Sequence, residues 1–499
     1  MTAGALKKRR DRIMQRLVVY FHYDPRGQAD PACRFAVREI QKQAGAVWFV
    51  TNGRLDAESR GWARDAGLHL LERENTGFDV GAYRQVLLTL GRPALDEWDE
   101  IVLMNYTLAG PVYPLGEMFA AMDARALDFW GLSRHYAMRS RRFGGRGGAV
   151  PEHLQSHLLA VRRPMYDDFY AYWQAMALPR SYEESVRCHE ARFTAHFAAL
   201  GYRWDSFLDG ERWRGIFLNP LMACPRELLQ QERCPFFKRR SFFTPYGDEL
   251  RRTDGLAARR LYDWLKAETS YPVDELLRGL LPAYPLSAVT RSLHPYPLLP
   301  ADPAGPAPVT VLPPAALREG AALAPDRFYW LELPLPETEP ARWYEAAARW
   351  TPAQQAAAVR LLEQNPLWGL IGPALPLYPG CQAARLRAWR RDRPAVQARM
   401  AELGLQLPLD AADPPPLPAG GVLLRGAAFP GGLPPVEGPE DLWLLPLAAQ
   451  QGGWATALAQ DAAQAAARAD QLGVLLAAQL SPQGAARALA RALRSALRR

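Results

Sequence analysis

A glycine-rich segment around one carboxylate carries the most specific chemistry in this sequence. Residues 73–83 are RENTGFDVGAY, with Gly77 and Gly81 on either side of Asp79. The glycines would let the backbone approach a ligand closely while Asp79 stays near the N-terminus of the next helix. Asp79 could equally be the N-cap of that helix. The segment alone therefore leaves a ligand site and a structural cap as alternatives.

Two other patterns could bind phosphate or metal, and both are weaker. The sequence has no GxxxxGK[ST] element, so a P-loop is excluded. The glycines of residues 144–148 do not join a strand to a helix, which favours a loop over a dinucleotide cradle. His153 and His157 stand at i and i+4, but the segment HLQSH lacks the glutamate of HExxH. We expect half-buried histidines of a helix there.

The charge balance does not indicate a nucleic-acid partner. The 499-residue chain has 60 basic and 52 acidic residues, a net charge of +8, but only five of the basic residues are lysines. No zinc-finger, helix-turn-helix or RNP-type signature accompanies the arginines. Five cysteines without a CxxC pair argue against a disulfide framework and a thiolate zinc site.

Hydropathy leads us to expect a cytoplasmic protein. No stretch reaches the ~18 uninterrupted apolar residues of a membrane-spanning helix. The basic start of the chain is followed by Asp11 and Arg12 rather than by the apolar region of a signal peptide. Residues 485–499 contain five arginines, with leucines at i, i+4 and i+8. They favour either a helix lying loosely on the inner face of the cell membrane or a frayed, charged terminus.

Composition divides the chain into four segments. Residues 1–16 are a basic N-terminal segment, and residues 17–230 have the mixed composition of a folded domain. Residues 231–300 form a helical connecting region. Residues 301–499 are rich in Pro and Ala, and we interpret them as an accessory module.

The segment 17–230 alternates between strand-like and helix-like patterns. Five apolar runs have strand length: 17–23, 46–51, 68–71, 100–105 and 127–132. Three segments between them have helical spacing: 33–44, 55–66 and 80–90. This alternation predicts an α/β fold with a mostly parallel sheet flanked by helices.

The predicted strands end in polar residues. These ends are Tyr23-Asp24, Thr51-Asn52, Glu74-Asn75 and Asn105-Tyr106-Thr107. Ligands of such sheets bind beyond the carboxyl ends of the strands. We therefore predict a crevice for a nucleotide or a nucleotide sugar at this edge.

Six motifs follow one another between residues 74 and 274. They are EN-x-G-x-D-x-GAY at 74–83, DEIVLMN at 99–105, DFWGL at 128–132, HLQSH at 153–157, PFFKR at 235–239 and YPVD at 271–274. In this order they resemble the rhamnan synthesis F family of bacterial polysaccharide-assembly proteins. The resemblance covers residues 17–285 and so includes most of the connecting region.

The resemblance implies a glycosyltransferase A-like fold and glycosyl transfer. The expected reaction moves a sugar, with rhamnose as the first candidate, from a nucleoside diphosphate donor to a growing glycan such as a lipopolysaccharide O-chain or a rhamnan. The expected partners are that donor, a glycan or lipid-linked acceptor and other assembly enzymes. Motif and strand ends together assign eight residues to the donor: Tyr23, Asp24, Asn52, Asn75, Gly77, Asp79, Asn105 and Thr107. The alternative is a non-catalytic subunit that binds nucleotide sugar or glycan.

The expected metal site departs from the pattern of this fold. Such glycosyltransferases usually hold Mg²⁺ or Mn²⁺ on a DxD-like carboxylate pair, and this sequence has NYT at 105–107 instead. Either Asp79 or Asp24 supplies the missing charge, or Lys238 and Arg239 neutralise the leaving diphosphate. The basic segment could also be a solvated turn. We predict weak or no dependence on a divalent ion.

The resemblance also implies a base at the start of a late helix, where Glu190 stands. Glu190 would lie at the edge of an apolar stripe formed by Phe193, Phe197 and Leu200. Partial burial is expected to raise its pKa, which suits a residue that accepts the acceptor hydroxyl's proton. The alternative is a surface glutamate paired with a neighbouring arginine.

The C-terminal segment offers less chemistry. Residues 365–373 and 418–425 resemble faintly a second region of longer family members. Residues 450–455, QQGGWA, contain no titratable base. An accessory module is therefore favoured over a second active site.

Overall fold

A computed structural model describes most of the chain. The described residues are 14–140, 143–144, 148–209, 211–214, 219–244, 249–250, 253–289, 293, 296–300, 308–313, 315–410, 414–483, 486–487 and 490. Residues 1–13, residues 145–147 of the glycine-rich segment and most of 485–499 lie outside them. The chain forms two compact units, residues 1–276 and 277–499. The composition-based boundaries at 16/17, 230/231 and 300/301 stay predictions.

A seven-stranded sheet forms the centre of the first unit. Its strands are β1 (Arg16–His22), β2 (Ala46–Asn52), β3 (His69–Arg73), β4 (Glu100–Asn105), β5 (Phe129–Gly131), β6 (Leu158–Arg162) and β7 (Trp204–Ser206). Their order across the sheet is β7-β5-β6-β4-β1-β2-β3. Strand β6 is antiparallel to its neighbours β4 and β5, and the other pairs are parallel.

Nine longer helices lie among the described residues up to 289, the last of them across the boundary between the two units. They are α1 (Pro31–Gln41), α2 (Ala57–Asp65), α3 (Phe78–Leu90), α4 (Leu115–Asp123), α5 (Tyr166–Ala175), α6 (Ala191–Ala199), α7 (Pro225–Glu232), α8 (Ala257–Glu268) and α9 (Val273–Leu280). Residues of α1 and α4 belong to one hydrophobic core. Residues of α3, α5 and α6 belong to another.

Strand β1 separates these two cores. All seven of its residues are buried. Val18 and Tyr20 belong to the core with α1 and α4, whereas Leu17, Val19 and Phe21 belong to the core with α3, α5 and α6. A parallel strand covered on both faces is expected to be a continuous apolar run, as this one is. The predicted α/β fold, a mostly parallel sheet flanked by helices, is confirmed.

The prediction for the two histidines of HLQSH is wrong. His153 belongs to the short strand His153–Leu154, which pairs with the strand Arg134–His135, and His157 precedes β6. Both side chains are buried rather than half-buried. The i, i+4 spacing is compatible with a helix, but the chain turns here so that it can enter the sheet as antiparallel β6.

The second unit has a sheet of its own. Its strands are β8 (Val309–Leu312), β9 (Phe328–Glu332), β10 (Trp368–Pro373), β11 (Gly421–Arg425) and β12 (Ala455–Ala459), in the order β8-β9-β11-β10-β12. Its longer helices are α10 (Ala341–Ala347), α11 (Pro352–Gln364), α12 (Pro379–Glu402), α13 (Leu444–Gln451) and α14 (Ala462–Leu480). Among the described residues of the whole chain, no helix is long and apolar enough to cross a membrane.

Candidate active site

A chain of four hydrogen-bonded side chains lies at the carboxyl end of β4. The Asn105 Nδ2 donates to Asp79 Oδ2 at 2.9 Å, at the start of α3. The Asn105 Oδ1 accepts from the Thr107 hydroxyl at 2.5 Å. That hydroxyl in turn accepts from Lys238 Nζ at 3.2 Å. The structure thus brings together four of the residues predicted from the sequence, one of them 131 positions further along the chain.

Glu190 lies just before α6 and is held by a different set of partners. Its Oε2 accepts from the Ser156 backbone N–H at 3.0 Å and from the Ser156 hydroxyl at 2.6 Å. Its Oε1 lies 3.8 Å from His153 Nε2. His153 Nδ1 donates to the carbonyl of Pro151 at 2.7 Å, which fixes the orientation of the ring beside the carboxylate.

These contacts reverse the expected direction of the Glu190 pKa. Burial acts to raise it, but His153 and the two hydrogen bonds from Ser156 together hold it well below its usual range. The prediction of a raised pKa is therefore wrong. The predicted apolar stripe is shorter as well, since Phe193 and Phe197 are buried but Leu200 is 52% exposed.

Electrostatic interactions connect the hydrogen-bonded chain from Asp79 to Lys238 with Glu190 and its partners. Burial lowers the pKa of Lys238 from 10.5 to about 8, although the negative charges of Glu190 and Asp79 oppose this shift. Burial raises the pKa of Asp79, and Glu190 adds to the rise. The pKa of His157 is lowered by burial and by the charge of Lys238. The half-buried Lys238 cation and the carboxylates of Asp79 and Glu190 therefore act on one another at this edge of the sheet.

Backbone strain at the start of α3 marks the same place. Gly77 and Phe78 both have positive φ, 69° and 54°, and such a conformation is unusual for a bulky residue. The Phe78 ring is 38% exposed. A Cβ on Gly81 would lie 2.7 Å from the Thr76 carbonyl, so only glycine fits there. Strain of this kind is concentrated at functional sites, where the surroundings hold it in place.

The other predicted donor residues follow neighbouring strands, and the Asn52 side-chain amide also donates to the Phe78 carbonyl at the start of α3, at 3.4 Å. Asn52 accepts from Arg73 at 2.5 Å and donates to the Asn75 side chain at 3.2 Å, at the carboxyl ends of β2 and β3. Asp24 follows β1 and is ion-paired with Arg26 at 3.0 Å. Tyr23 packs at the edge of the core that contains α3.

Arg239 pairs with a residue of the core and does not join the hydrogen-bonded chain that contains Lys238. Its guanidinium donates to both carboxylate oxygens of Asp30, the N-cap residue of α1, and both side chains are largely buried. The ion pair raises the pKa of Arg239 against the opposing effect of burial. A guanidinium engaged in this way is a poor candidate for contact with a diphosphate.

We therefore expect Arg239→Gln to destabilise the protein without weakening donor binding. Breaking a buried ion pair leaves Asp30 uncompensated, which costs about 3–5 kcal/mol. Denaturant unfolding measures this loss. Arg260→Gln is the control, because Arg260 and its partner Asp254 are both about half exposed, and it should cost less than about 1 kcal/mol. A stable Arg239→Gln protein with weakened donor affinity would contradict the structural role.

The site does not fit a divalent ion as its charge-neutralising group. Mg²⁺ and Mn²⁺ require oxygen ligands, yet an amide N–H of Asn105 points at Asp79 and the ammonium of Lys238 points at Thr107. Among the described residues, no group of three or more His, Cys, Asp or Glu side chains is placed to hold a metal. Lys238 is the positive charge that this site itself provides.

Two neighbours of the site, Ser156 and Tyr83, were not singled out from the sequence. Ser156 lies in the HLQSH motif, where the histidine spacing drew attention away from the serine, and His153 was considered there as a metal ligand rather than as a partner of Glu190. Tyr83 closes the glycine-rich motif at i+4 from Asp79, and its buried hydroxyl has no hydrogen-bond partner among the described residues. The sequence signal for Ser156 and Tyr83 was membership of a family motif rather than a chemical pattern.

Comparison with known proteins gives a family match and distant structural likenesses. Residues 47–290 match the model of rhamnan synthesis protein F. No curated protein matches the chain.

The solved structures include glucosyl-3-phosphoglycerate synthase from Mycobacterium tuberculosis in complex with phosphoglyceric acid, at 14% identity over 33% of this chain and 62% of that one, with a TM-score of 0.23. The same enzyme in complex with Mn²⁺, uridine diphosphate and glucosyl-3-phosphoglycerate is 14% identical over 33% of this chain and 62% of that one, with a TM-score of 0.22. The synthase of 4-diphosphocytidyl-2C-methyl-D-erythritol gives 12% identity over 39% and 89% of the two chains, with a TM-score of 0.26. The chain spans 62% of the first of these proteins. The resemblance to the rhamnan synthesis F family is confirmed over residues 47–290, the part of the chain that the family model matches.

Proposed function

We propose that the chain is a glycosyltransferase of bacterial polysaccharide synthesis, with a nucleoside diphosphate sugar as its donor and rhamnose as the first candidate sugar. The family match supports the class of pathway. The observation that carries the proposal is the chain of hydrogen bonds from the half-buried Lys238 ammonium through Thr107 and Asn105 to Asp79, with Glu190 acting on both charges, at the carboxyl edge of a mostly parallel sheet.

The geometry suggests a role for each of these groups. The Lys238 ammonium would lie against the diphosphate and stabilise its charge as it leaves. Asp79, held by Asn105, would accept hydrogen bonds from hydroxyl groups of the donor. The exposed Phe78 ring next to it would pack against the donor's apolar face.

Glu190 would receive the proton. The acceptor hydroxyl oxygen bonds to the anomeric carbon while the bond from that carbon to the diphosphate breaks. The hydroxyl proton goes to Glu190, and the bonding electrons leave with the nucleoside diphosphate. Ser156 and His153 would orient the carboxylate and keep it ionised before the reaction.

One observation favours the alternative, a subunit that binds nucleotide sugar or glycan without catalysis. General bases work best with a pKa near the working pH, whereas the partners of Glu190 hold its pKa low. In that case Glu190 only fixes the loop at Ser156. The two functions share donor binding and differ in turnover.

The proposal extends to location and partners. We place the reaction at the cytoplasmic face of the membrane, with a glycan or lipid-linked acceptor and other assembly enzymes nearby. The support is the excess of arginine in residues 485–499, which suits an anionic surface.

The first test is donor binding to the Asp79→Ala variant. A panel of nucleoside diphosphate sugars, with a rhamnosyl donor included, is screened by thermal shift, since a ligand of the folded state raises the midpoint. Calorimetry on the donor found should then show about 10- to 100-fold weaker binding to Asp79→Ala, the size of a lost hydrogen bond to a charged group.

The control is Asp263→Ala, which removes a half-exposed carboxylate of α8 from its pair with Arg259. It should bind donor as the wild type does. Unchanged donor affinity in Asp79→Ala, with a folded protein, would remove Asp79 from the donor site.

A further inference from the structure

The sheet of the second unit repeats five strands of the first. In the first unit the strands β1, β4, β6, β5 and β7 lie side by side in that order, and only β6 is antiparallel to its neighbours. In the second unit β8, β9, β11, β10 and β12 lie in the corresponding order, and only β11 is antiparallel. In both sheets the fourth strand along the chain is inserted between the second and the third.

The register of the strands agrees in detail. Strand β6 pairs its five residues with 100–104 of β4, and β11 pairs its five residues with 328–332 of β9. The next backbone hydrogen bond agrees as well. The Asn105 N–H donates to the His157 carbonyl at 3.1 Å, and the Leu333 N–H donates to the Gly420 carbonyl at 3.3 Å.

Two glycines correspond across the repeat. A Cβ on Gly131 of β5 would lie 3.0 Å from the carbonyl oxygen of Leu158, the first residue of β6. A Cβ on Gly372 of β10 would lie 2.6 Å from the carbonyl oxygen of Gly421, the first residue of β11. A short 3₁₀ turn follows both antiparallel strands, at Arg163–Met165 and Gly426–Ala428.

Among its described residues, the second unit lacks the two strands that lie between β1 and β4 along the chain of the first unit. Strands β2 and β3 lie within residues 23–99 of the first unit. The corresponding connection in the second unit, between β8 and β9, has only residues 313–327, too few for two further strand–helix units. The part of the sheet that carries Asn52 and Asn75 in the first unit therefore has no counterpart in that connection.

Three positions around the site have non-polar residues as their counterparts in the second unit. By the register above, Leu333 corresponds to Asn105 and Gly420 to His157. Counted back from the ends of α6 and α13, Leu442 corresponds to Glu190. Leu333 and Leu442 are buried. The corresponding edge of the second unit thus holds no base and no donor-binding amide at these positions.

A small apolar cluster fills the edge instead. It consists of Ala341, Leu375, Cys381 and Ala419, with Tyr344 and Ala348 packed against it. Helix α10 lies close to this edge, because a Cβ on Gly420 would lie 2.8 Å from the carbonyl oxygen of Glu345. A nucleotide crevice at this place is therefore closed.

Three aromatic rings lie beside the cluster. Tyr344 and Tyr378 are stacked, with centroids 4.8 Å apart and an interplanar angle of 15°. Trp343 lies edge-on to Tyr344 with centroids 5.0 Å apart. Trp343 is 62% exposed and Tyr378 is 37% exposed. Exposed polar residues lie near the rings along the chain: Glu339 accepts from the Trp343 backbone N–H at 3.1 Å, and Gln382 of α12 is four positions after Tyr378.

We propose that the second unit is a shortened, donor-less copy of the first that binds glycan on the aromatic surface formed by Trp343, Tyr344 and Tyr378. Sugar rings present faces of C–H groups that pack on flat aromatic rings, while their hydroxyls require polar groups at the rim. An exposed tryptophan with a polar rim meets both needs. The choice of glycan rests on the proposed function, because a transferase of this class must hold its growing product.

The test measures binding of two probes to the full chain. A rhamnan oligosaccharide is the glycan probe, and a nucleoside diphosphate sugar found in the donor screen is the donor probe. Trp343→Ala should weaken oligosaccharide binding at least tenfold, as loss of an aromatic hot spot does, and leave donor binding unchanged. Trp343→Tyr keeps a ring and should keep most of the affinity. Val311→Ala, 65% exposed on β8, is the surface control and should change neither.

The outcomes separate this proposal from the proposed function. Wild-type oligosaccharide affinity in Trp343→Ala and in Tyr378→Ala would overturn it, and so would a wild-type chain that binds donor but no oligosaccharide. A self-associating wild type that becomes monomeric in Trp343→Ala would assign the surface to a second copy instead and also overturn it. Trp343-dependent oligosaccharide binding without any donor binding would support it while the proposed transferase activity fails.

Discussion

The Glu190→Gln variant should turn over about 10²–10⁴-fold more slowly than the wild type, with unchanged donor affinity. Glutamine keeps the shape of the side chain and an oxygen that accepts from Ser156, but it cannot take a proton from the acceptor. Single-turnover transfer to an oligosaccharide acceptor measures the chemical step, and calorimetry measures donor affinity. The effect should therefore lie in turnover alone.

Glu58→Gln is the matched control. Glu58 pairs with Arg34 on the surface of α2 and is 78% exposed, so its variant should show wild-type turnover. Wild-type turnover in Glu190→Gln itself would leave Glu190 with a positioning role at Ser156 and would favour the non-catalytic binding subunit.

Unfolding at different pH values gives Glu190 a second readout. Its partners hold the folded-state pKa below the ordinary value of 4.5, so its ionised form adds stability above that pH. This contribution is lost as the pH falls through the acid range. The Gln variant lacks it, and its stability should depend less steeply on pH there than that of the wild type.

Strands of the first sheet could be predicted because a strand buried on both faces is a continuous apolar run in the sequence. The predicted strand 17–23 is β1, Arg16–His22, and the predicted helix 80–90 is α3, Phe78–Leu90. Strand β6 has the same kind of apolar run, LLAV at 158–161, but it was not predicted, because the histidine pair before it was interpreted as part of a helix. It follows directly on His157, and a pair of histidines at i and i+4 is compatible with a helix as well as with a strand entered by a turn.

Neighbouring residues of one basic segment show why site roles were harder to predict. Lys238 and Arg239 are equivalent as charges in the sequence. In the structure Lys238 reaches Thr107, 131 positions away, and Arg239 reaches Asp30, 209 positions away. Lys238 ends a short strand and Arg239 begins a 3₁₀ helix, and their side chains leave the backbone in different directions. Which of them meets the site depends on tertiary contacts that no local pattern contains.

Glu190 shows the same limit for electrostatics. Burial could be inferred from the apolar residues Phe193 and Phe197, and burial alone predicts a raised pKa. The sign changes because Ser156 and His153 approach from another strand–turn segment. Local sequence can predict that a carboxylate is buried, but the groups that satisfy it come from elsewhere in the fold.

The Lys238→Met variant should bind the donor about 10- to 100-fold more weakly and turn over about 10²–10³-fold more slowly than the wild type. Methionine has a similar length and fills the space without a charge. The diphosphate would then lose its contact with Lys238, the one cation in the hydrogen-bonded chain of described residues from Asp79 to Lys238. Lys42→Met, at an exposed lysine paired with Glu39, is the control and should leave both quantities unchanged.

The donor affinity of the wild type should depend on pH, because it depends on the charge of Lys238. Because burial lowers the pKa of Lys238 to about 8, its ammonium is lost as the pH rises through this value. Donor affinity of the wild type should fall above about pH 8, and this fall should be missing in Lys238→Met. EDTA should leave the wild type unchanged. Activity that vanishes in EDTA and returns with Mn²⁺ would assign the neutralising charge to a metal instead.

Stability should move in the opposite direction to affinity. A lysine whose folded-state pKa is lowered from 10.5 to about 8 destabilises the folded state at every pH below about 8, and its cost fades as the pH rises from about 8 towards 10.5. Removing this charge should stabilise the fold by about 1–3 kcal/mol at neutral pH. Denaturant unfolding of Lys238→Met measures the gain, and the control Lys42→Met should show none. If Lys238→Met is more stable than the wild type but binds the donor more weakly, Lys238 serves donor binding. If the variant loses stability as well as donor affinity, Lys238 is a structural residue.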